Sequence, residues 1–181
     1  GNLHAVRKGS NTGNGRVIML AAHMDEIGLM VSHIDENGFG RLTTLGGVRP
    51  ETMVGNRVHF TNGAIGVINV EKWPRNEKLD GSHRKLYLDF GVTNNKAVPV
   101  RIGDVAGFQR PFVDLGDTLV AKSMDDRIGC AILVETLQQL AETPHELHFV
   151  FTVQEEVGSR GAGPATFGLE PDVAFVLDVA S

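Results

Sequence analysis

Three apolar runs in the chain have the continuous hydrophobic pattern of strands that are covered on both faces. They are Val17 to Ala22, Leu147 to Val153 and Val173 to Leu177. Between the last two lies a Gly-rich segment, Gly158 to Gly163, which we interpret as a loop. The pattern predicts that these runs are buried strands of one sheet.

One segment has the 3.6-residue period of an amphipathic helix. It follows Asp125-Asp126-Arg127, and Pro144 is a plausible end. Its predicted apolar face consists of Cys130, Leu133, Val134, Leu137 and Ala141. The order strand, helix, strand favours an α/β fold in which a mixed, largely parallel sheet is flanked by helices.

The middle of the chain has a different pattern, in which short β-type segments alternate with Gly and Asn turns. These segments are Arg57 to Phe60, Ala64 to Val70, Leu86 to Phe90 and Val105 to Phe108. The charged stretch Arg75 to Lys85 is predicted to be an exposed loop. We therefore expect residues 1–42 and 117–181 to form the α/β core, and residues 43–116 to form a small inserted barrel-like domain.

Composition and charge exclude some classes of function. The 181 residues are 41% hydrophobic and 22% charged, which is ordinary for a globular protein, and the net charge of −5 does not favour nucleic-acid binding. No apolar run is long enough to span a membrane. The single cysteine, Cys130, cannot form an internal disulfide, so a cytoplasmic location is expected.

Ligand-type residues follow the three apolar runs. His23 follows the first, Glu155 and Glu156 follow the second, and Asp178 follows the third. If the strands are parallel, their carboxyl ends lie at one edge of the sheet, where ligands bind in such folds. With Asp125 at a helix start, the mixed N and O donors predict a site for Zn²⁺, Co²⁺ or Mn²⁺.

Two further roles can be argued from spacing. Asp25 lies two residues after His23 and is expected to orient its imidazole ring. Glu155 and Glu156 are neighbours on what we take to be an extended segment, so their side chains point in different directions and one is free to move protons. That arrangement argues against a glycosidase, whose two carboxylates face each other across a sugar bond. Taken singly, each of these residues also fits a structural role, such as a surface acid or a helix cap.

Four motifs resemble those of the tetrahedral (TET-type) aminopeptidases. This family includes glutamyl and deblocking aminopeptidases that are often labelled cellulases or endoglucanases. The motifs occur in the right order, and the resemblance extends over the whole chain, including Gly46 to Pro50 and Arg101 to Asp104. The motifs are Ala22-His-Met-Asp-Glu-Ile-Gly-Leu29, Lys122-Ser-Met-Asp-Asp-Arg-Ile-Gly-Cys130, Val153-Gln-Glu-Glu-Val-Gly-Ser-Arg-Gly-Ala162 and Leu177-Asp-Val179.

The resemblance implies an enzyme that removes N-terminal residues from short peptides with two Zn²⁺ or Co²⁺ ions. It implies that His23, Glu156 and Asp178 bind metal and that Asp125 bridges both ions. Glu155 would be the general base, and Asp25 would orient His23. The family also implies homo-oligomers, commonly dodecamers built of dimers, in which the inserted domain supports assembly.

The chain resembles an internal fragment of that family. The family supplies a last metal-binding His well after the Asp178 motif, and a helical segment before the first strand, and neither is found in the 181 residues. We therefore expect the fragment itself to be inactive. Two alternatives stay open: a non-catalytic assembly or binding module with a degenerate metal site, and an acyl-peptide or acyl-amino acid hydrolase.

Overall fold

The computed structural model describes residues 1–10, 13–71 and 85–180, and within it the chain forms two compact units. The first unit comprises Gly1–Glu26 and Ser123–Ser181, and the second comprises Ile27–Lys122. Nearly all of the predicted exposed loop, Arg75 to Lys85, lies outside the described residues.

The strands are numbered in chain order. They are β1 Leu3–Arg7, β2 Val17–His23, β3 Gly28–Ile34, β4 Gly40–Leu45, β5 Arg57–Phe60, β6 Ile65–Val70, β7 Leu86–Asp89, β8 Val105–Phe108, β9 Val113–Asp114, β10 Leu119–Val120, β11 Glu146–Thr152 and β12 Val173–Val176. Within the described ranges there are two α-helices, α1 Met124–Gln139 and α2 Ala162–Leu169. Short 3₁₀ turns occupy Pro50–Thr52 and Asn95–Ala97. None of the helices among the described residues is long and apolar enough to cross a membrane.

The first unit contains a four-stranded mixed sheet in the order β1-β11-β2-β12. Strands β11 and β12 both pair in parallel with β2, while β1 pairs antiparallel with β11 at one edge. The three apolar runs therefore form adjacent parallel strands, as the sequence predicts. Their carboxyl ends point the same way.

Helices cover both faces of this sheet. On one face, the buried Leu133 of α1 packs with Leu147, Phe149 and Phe151 of β11. On the other face, Met19, Ala21 and Val150 pack against Ala165 and Leu169 of α2. The side chains of β2 and β11 alternate between two apolar layers, which explains why their sequences are hydrophobic throughout. Strand β12 lies at the edge of the sheet, and its Phe175 and Val176 are exposed, so this run is not covered on both faces as expected.

The second unit is a closed antiparallel barrel in the order β3-β4-β7-β6-β5-β8. Its core contains fully buried side chains from several strands, such as Val58, Phe60, Ile68 and Leu88. Because β3 and β4 belong to the barrel, this unit begins at Ile27 and ends at Lys122, and so extends beyond the predicted bounds 43–116 on both sides. The strands β9 and β10 form a separate two-stranded ribbon.

Two details of the α/β part differ from the sequence pattern. Helix α2 was not predicted, because Ala162-Gly-Pro-Ala-Thr-Phe-Gly-Leu169 carries two glycines and a proline and has no apolar period. In α1, Val134 is 43% exposed although it fits the predicted apolar face. The residue before it, Leu133, is buried and packs against the sheet.

Candidate metal centre

The parallel strands bring the predicted ligands to one edge of the sheet. His23 is the last residue of β2 and pairs in register with Thr152, the last residue of β11. The backbone N–H of Leu177, just beyond β12, donates to the carbonyl oxygen of Ala21 at 2.8 Å. Asp178 and the Glu155 turn are therefore carried by strands on either side of His23.

His23, Asp125 and Asp178 form the centre of this cluster. Each offers one ligand atom, and these atoms all lie within 4.8 Å of one another. Nε2 of His23 is 3.0 Å from Oδ1 of Asp125. One imidazole nitrogen and two carboxylate oxygens suit a borderline divalent ion such as Zn²⁺. The donor set that these residues present fits a metal site.

The His23 ring is held in one orientation by its other nitrogen. Nδ1 lies 3.1 Å from the backbone carbonyl oxygen of Asp25, and a carbonyl can only accept. With the proton on Nδ1, Nε2 is the ring nitrogen that is left to bind a metal. Metal-bound histidines are usually oriented in this way by a hydrogen bond from the second nitrogen.

The electrostatic surroundings of His23 are acidic. Burial of the imidazole disfavours its charged form, but the hydrogen bond with Asp125 and the charges of Asp25, Asp125 and Glu155 outweigh burial and raise the pKa of His23. Several carboxylates thus surround one imidazole ring. A bound cation would relieve their mutual repulsion.

The Asp25 carboxylate contacts backbone rather than the His23 ring. Oδ1 accepts the backbone N–H of Glu155 at 3.0 Å, and Oδ2 accepts the backbone N–H of Glu156 at 3.1 Å. Its distance to Nδ1 of His23, 3.6 Å, is longer than a hydrogen bond. The expected orienting role is therefore taken by the Asp25 carbonyl oxygen, and the side chain fixes the turn that follows β11.

We expected Glu155 and Glu156 to lie on an extended segment, but they lie in a turn. Gln154 adopts a left-handed conformation with φ 60°, which ends the strand direction before the two acids. Oε2 of Glu155 is 4.0 Å from Nε2 of His23, and its Oε1 accepts a hydrogen bond from Oγ of Ser159 at 3.0 Å. Glu156 is not a member of the His23 group described above.

A small cavity of about 120 Å³ lies beside the cluster. His23, Glu155 and Asp178 line it together with small residues from β2 and α2, including Ala21 and Ala162. The sheet edge thus combines possible metal ligands, a proton-accepting carboxylate and an adjacent space.

Comparison with known proteins identifies the family. The profile of the M42 glutamyl aminopeptidases matches residues 1–181. The chain belongs to this family. A relative from Acetivibrio thermocellus is 45% identical over 185 aligned positions, which cover 99% of this chain and 53% of the relative. The lysyl aminopeptidase of Pyrococcus furiosus is 35% identical, with 99% of this chain and 54% of that protein covered.

Solved M42-type structures have the same fold. Aminopeptidase APDkam598 from the archaeon Desulfurococcus kamchatkensis superposes with a TM-score of 0.90 at 38% identity, over 99% of this chain and 51% of that one. The TET1 peptidase of Pyrococcus horikoshii, described as assembling into a tetrahedron or a large octahedral shell, gives 0.82 at 30% identity, over 100% and 58%. The chain spans about half the length of the curated relatives that it matches.

Two residues of this M42 chain support the site and were not recognised as such in the sequence. Asp126 is fully buried and accepts the backbone N–H groups of His23 at 3.2 Å and Gly129 at 3.2 Å. Burial raises its pKa. Sγ of Cys130 donates to the carbonyl oxygen of His23 at 3.1 Å. The only sequence signal for Asp126 is its position next to Asp125, a predicted ligand.

The position of the Asp126 carboxylate requires a glycine three residues later, at Gly129. A Cβ at Gly129 would lie 2.4 Å from Oδ1 of Asp126, so a side chain there would displace the carboxylate. The buried acid, the glycine and the thiol together fix the backbone of His23.

Proposed function

We propose that the full-length protein is a metal-dependent aminopeptidase that hydrolyses the first peptide bond of short peptides with the help of two divalent ions, Zn²⁺ or Co²⁺. The observation that carries this proposal is the convergence of His23, Asp125 and Asp178 within 4.8 Å, beside the Glu155 carboxylate, in a chain of the M42 family. Catalytic carboxylates and metal ligands are expected together at the carboxyl ends of parallel strands.

Each residue of the cluster has a distinct proposed role. His23, Glu156 and Asp178 would hold metal, and Asp125 would bridge two ions. When bound, the ions lower the pKa of a water molecule and polarise the peptide carbonyl. Glu155 would accept the proton of the attacking water and pass it to the leaving amine. Its position beside His23 and its hydrogen bond from Ser159 support that role.

The Asp25 carboxylate helps to position Glu155 for its proposed role as general base. By binding the N–H groups of Glu155 and Glu156 with its two oxygens, it holds the turn that presents both acids. A positioned base is more effective than a mobile one, because no motion has to be frozen in the transition state. We assign Asp25 a positioning role for the turn as well as for His23.

Our proposals for substrate preference, cellular location and assembly are less specific than those for the site residues. The family is named for glutamyl aminopeptidases and one relative is a lysyl aminopeptidase, so we commit only to short peptides with a free N-terminus. We propose a cytoplasmic protein. We also propose a homo-oligomer, in keeping with the TET1 relative's shells, in which the barrel unit contributes to assembly.

Chelation and one substitution test the function. Full-length protein should lose peptidase activity on treatment with a chelator and regain it with Co²⁺ or Zn²⁺. Glu155→Gln should lower kcat at least a hundredfold, in line with the usual contribution of a general base, and still bind metal. Glu142→Gln, a change at an exposed acid of the same unit, is the matched control. Retained activity in the Glu155 variant would refute the base assignment.

The same preparations separate the alternatives. Protein that binds no divalent ion even at excess, measured by elemental mass analysis, would favour a non-catalytic module. Activity confined to acylated chromogenic substrates would favour an acyl-peptide hydrolase. We expect residues 1–181 alone not to turn over peptides, since the resemblance places a further histidine ligand after the Asp178 motif. Assaying this chain beside the full-length protein tests that expectation.

A further inference from the structure

A second cavity, lined by several basic side chains, lies on the barrel unit. Its volume is about 460 Å³, and its lining includes Arg57, His59, Arg110 and Lys122. None of the described residues that line it is acidic. A cavity of this size falls within the range of about 300–1,000 Å³ that small-molecule sites occupy.

The strand geometry explains why these basic side chains share one surface. Arg57 and His59 are two residues apart on β5, so both point outward from the barrel, while Val58 and Phe60 point into its core. His59 pairs across β8 with Gly107, which has no side chain, so backbone forms that part of the cavity wall. The N–H of Gln109 donates to the carbonyl oxygen of Arg57 at 2.9 Å, which places Arg110 next to β5.

The contacts of Arg57 and Arg110 leave their guanidinium groups available to an external anion. The guanidinium carbon of Arg110 lies 5.3 Å from the ring centroid of the buried Phe108, so one face of the group is covered and its N–H edges are directed elsewhere. Neither Arg57 nor Arg110 forms an ion pair with another described residue. Two arginines without an acidic partner among the described residues repel one another, and a bound anion would relieve that repulsion.

We propose that this cavity binds a small molecule that carries a phosphate group. The planar, forked donors of arginine match phosphate oxygens bidentately, and Lys122 and His59 add further side-chain nitrogens to the same lining. All the lining residues belong to the barrel unit, and none belongs to the cluster formed by His23, Asp125 and Asp178. The site is separate from the proposed peptidase chemistry and does not depend on it.

Calorimetric titration of the full-length, chelator-treated protein tests the proposal, with inorganic phosphate and pyrophosphate as probes and succinate as a dicarboxylate of similar charge. Phosphate or pyrophosphate should bind, and succinate at least about tenfold more weakly. The double variant Arg57→Gln, Arg110→Gln should bind pyrophosphate at least about a hundredfold more weakly, which corresponds to a factor of about ten for each cation. Lys96→Gln removes an exposed cation of the same unit outside the cavity and should bind normally.

Further variants distinguish a binding defect from a folding defect or a second site. Arg57→Lys with Arg110→Lys keeps the charge but loses the forks, so it should fold and show intermediate affinity. His23→Ala should leave the titration unchanged, because the anion is not held at the metal centre. Equal binding of phosphate by the double glutamine variant would overturn the proposal. So would loss of self-assembly in that variant with an unchanged titration, which would assign the cavity to a protein interface.

Discussion

Asp25 and Asp35 provide a matched pair of carboxylates for measuring what a positioning acid contributes. Each accepts two backbone N–H groups. Asp25 uses both of its oxygens, for Glu155 and Glu156, whereas Asp35 uses Oδ1 alone, for Asn37 and Phe39. An asparagine has one acceptor oxygen, so it can replace Asp35 but leaves one N–H unpaired at position 25.

Asp25→Asn should therefore lower the free energy of unfolding by about 1–3 kcal/mol, and Asp35→Asn by much less. Chemical denaturation in the presence of a chelator measures this without a contribution from metal affinity. The Asp25 variant should also lose kcat, because the turn that carries Glu155 is loosened. Equal stability losses in the two variants would show that the use of both Asp25 oxygens by the turn adds nothing to the free energy of unfolding.

Cys130 gives a second prediction at a single residue. Burial, with the nearby Asp126 carboxylate, raises the pKa of its thiol, and Arg127 opposes the shift. A raised pKa means less thiolate at a given pH, and the thiolate is the reactive form. A disulfide reagent at pH 8 should thus modify native protein much more slowly than protein in urea, and the native rate should still be rising above pH 9. A native rate equal to the denatured one would contradict this.

At the residue scale, the hydrophobic pattern could predict that His23 and Asp178 follow neighbouring parallel strands, while their role as metal ligands stays a prediction. It could not predict how they are held. The Asp25 carboxylate binds turn backbone that exists only once Gln154 reverses the chain at φ 60°. Asp126 is buried because α1 packs beside β2, and no local property of Asp-Asp-Arg distinguishes a buried acid from an exposed one.

Among the elements, the buried strands were predictable and the irregular ones were not. Strands β2, β5 and β11 could be predicted because continuous apolar runs and alternating apolar and polar residues are the local sequence signals of strands. Helix α2 is determined by packing of Ala165 and Leu169 on the sheet, which outweighs the low helix propensity of its glycines and proline. The extent of the barrel was underestimated because β3 reads as a strand of either unit, and only its pairing with β8 assigns it.

The junction of β3 with β8 closes the barrel, and Gly28 lies at it. A Cβ at position 28 would be 2.9 Å from the backbone carbonyl oxygen of Ala106, so backbone would have to shift. Gly28→Ala should destabilise the protein by about 1–3 kcal/mol. At Gly47 nothing lies within 4 Å of the added Cβ, and Gly47→Ala should be neutral or slightly stabilising. Urea unfolding compares the two, and equal effects would mean that the barrel closes without this close approach.

For the whole molecule, the division into two units makes the metal proposal testable by location as well as by activity. The residues expected to hold metal all belong to the unit formed by Gly1–Glu26 and Ser123–Ser181, and none belongs to Ile27–Lys122. A ligand that binds only the folded state stabilises what it binds, by about 2.7 kcal/mol at a concentration of 100 times its Kd. The effect should therefore appear in one unit.

Amide hydrogen exchange with and without Zn²⁺ measures this unit by unit. Amides of β2 and β11 that exchange through opening of their unit should slow by about a hundredfold at that concentration, while amides of β5 and β6 in the barrel stay unchanged. Asp178→Asn should reduce the effect in the sheet and leave barrel exchange as it was. If zinc slowed both sets of amides equally, either the two units would unfold as one or the ion would bind elsewhere, and the Asp178 variant would decide between them, because only a site that includes Asp178 loses its protection.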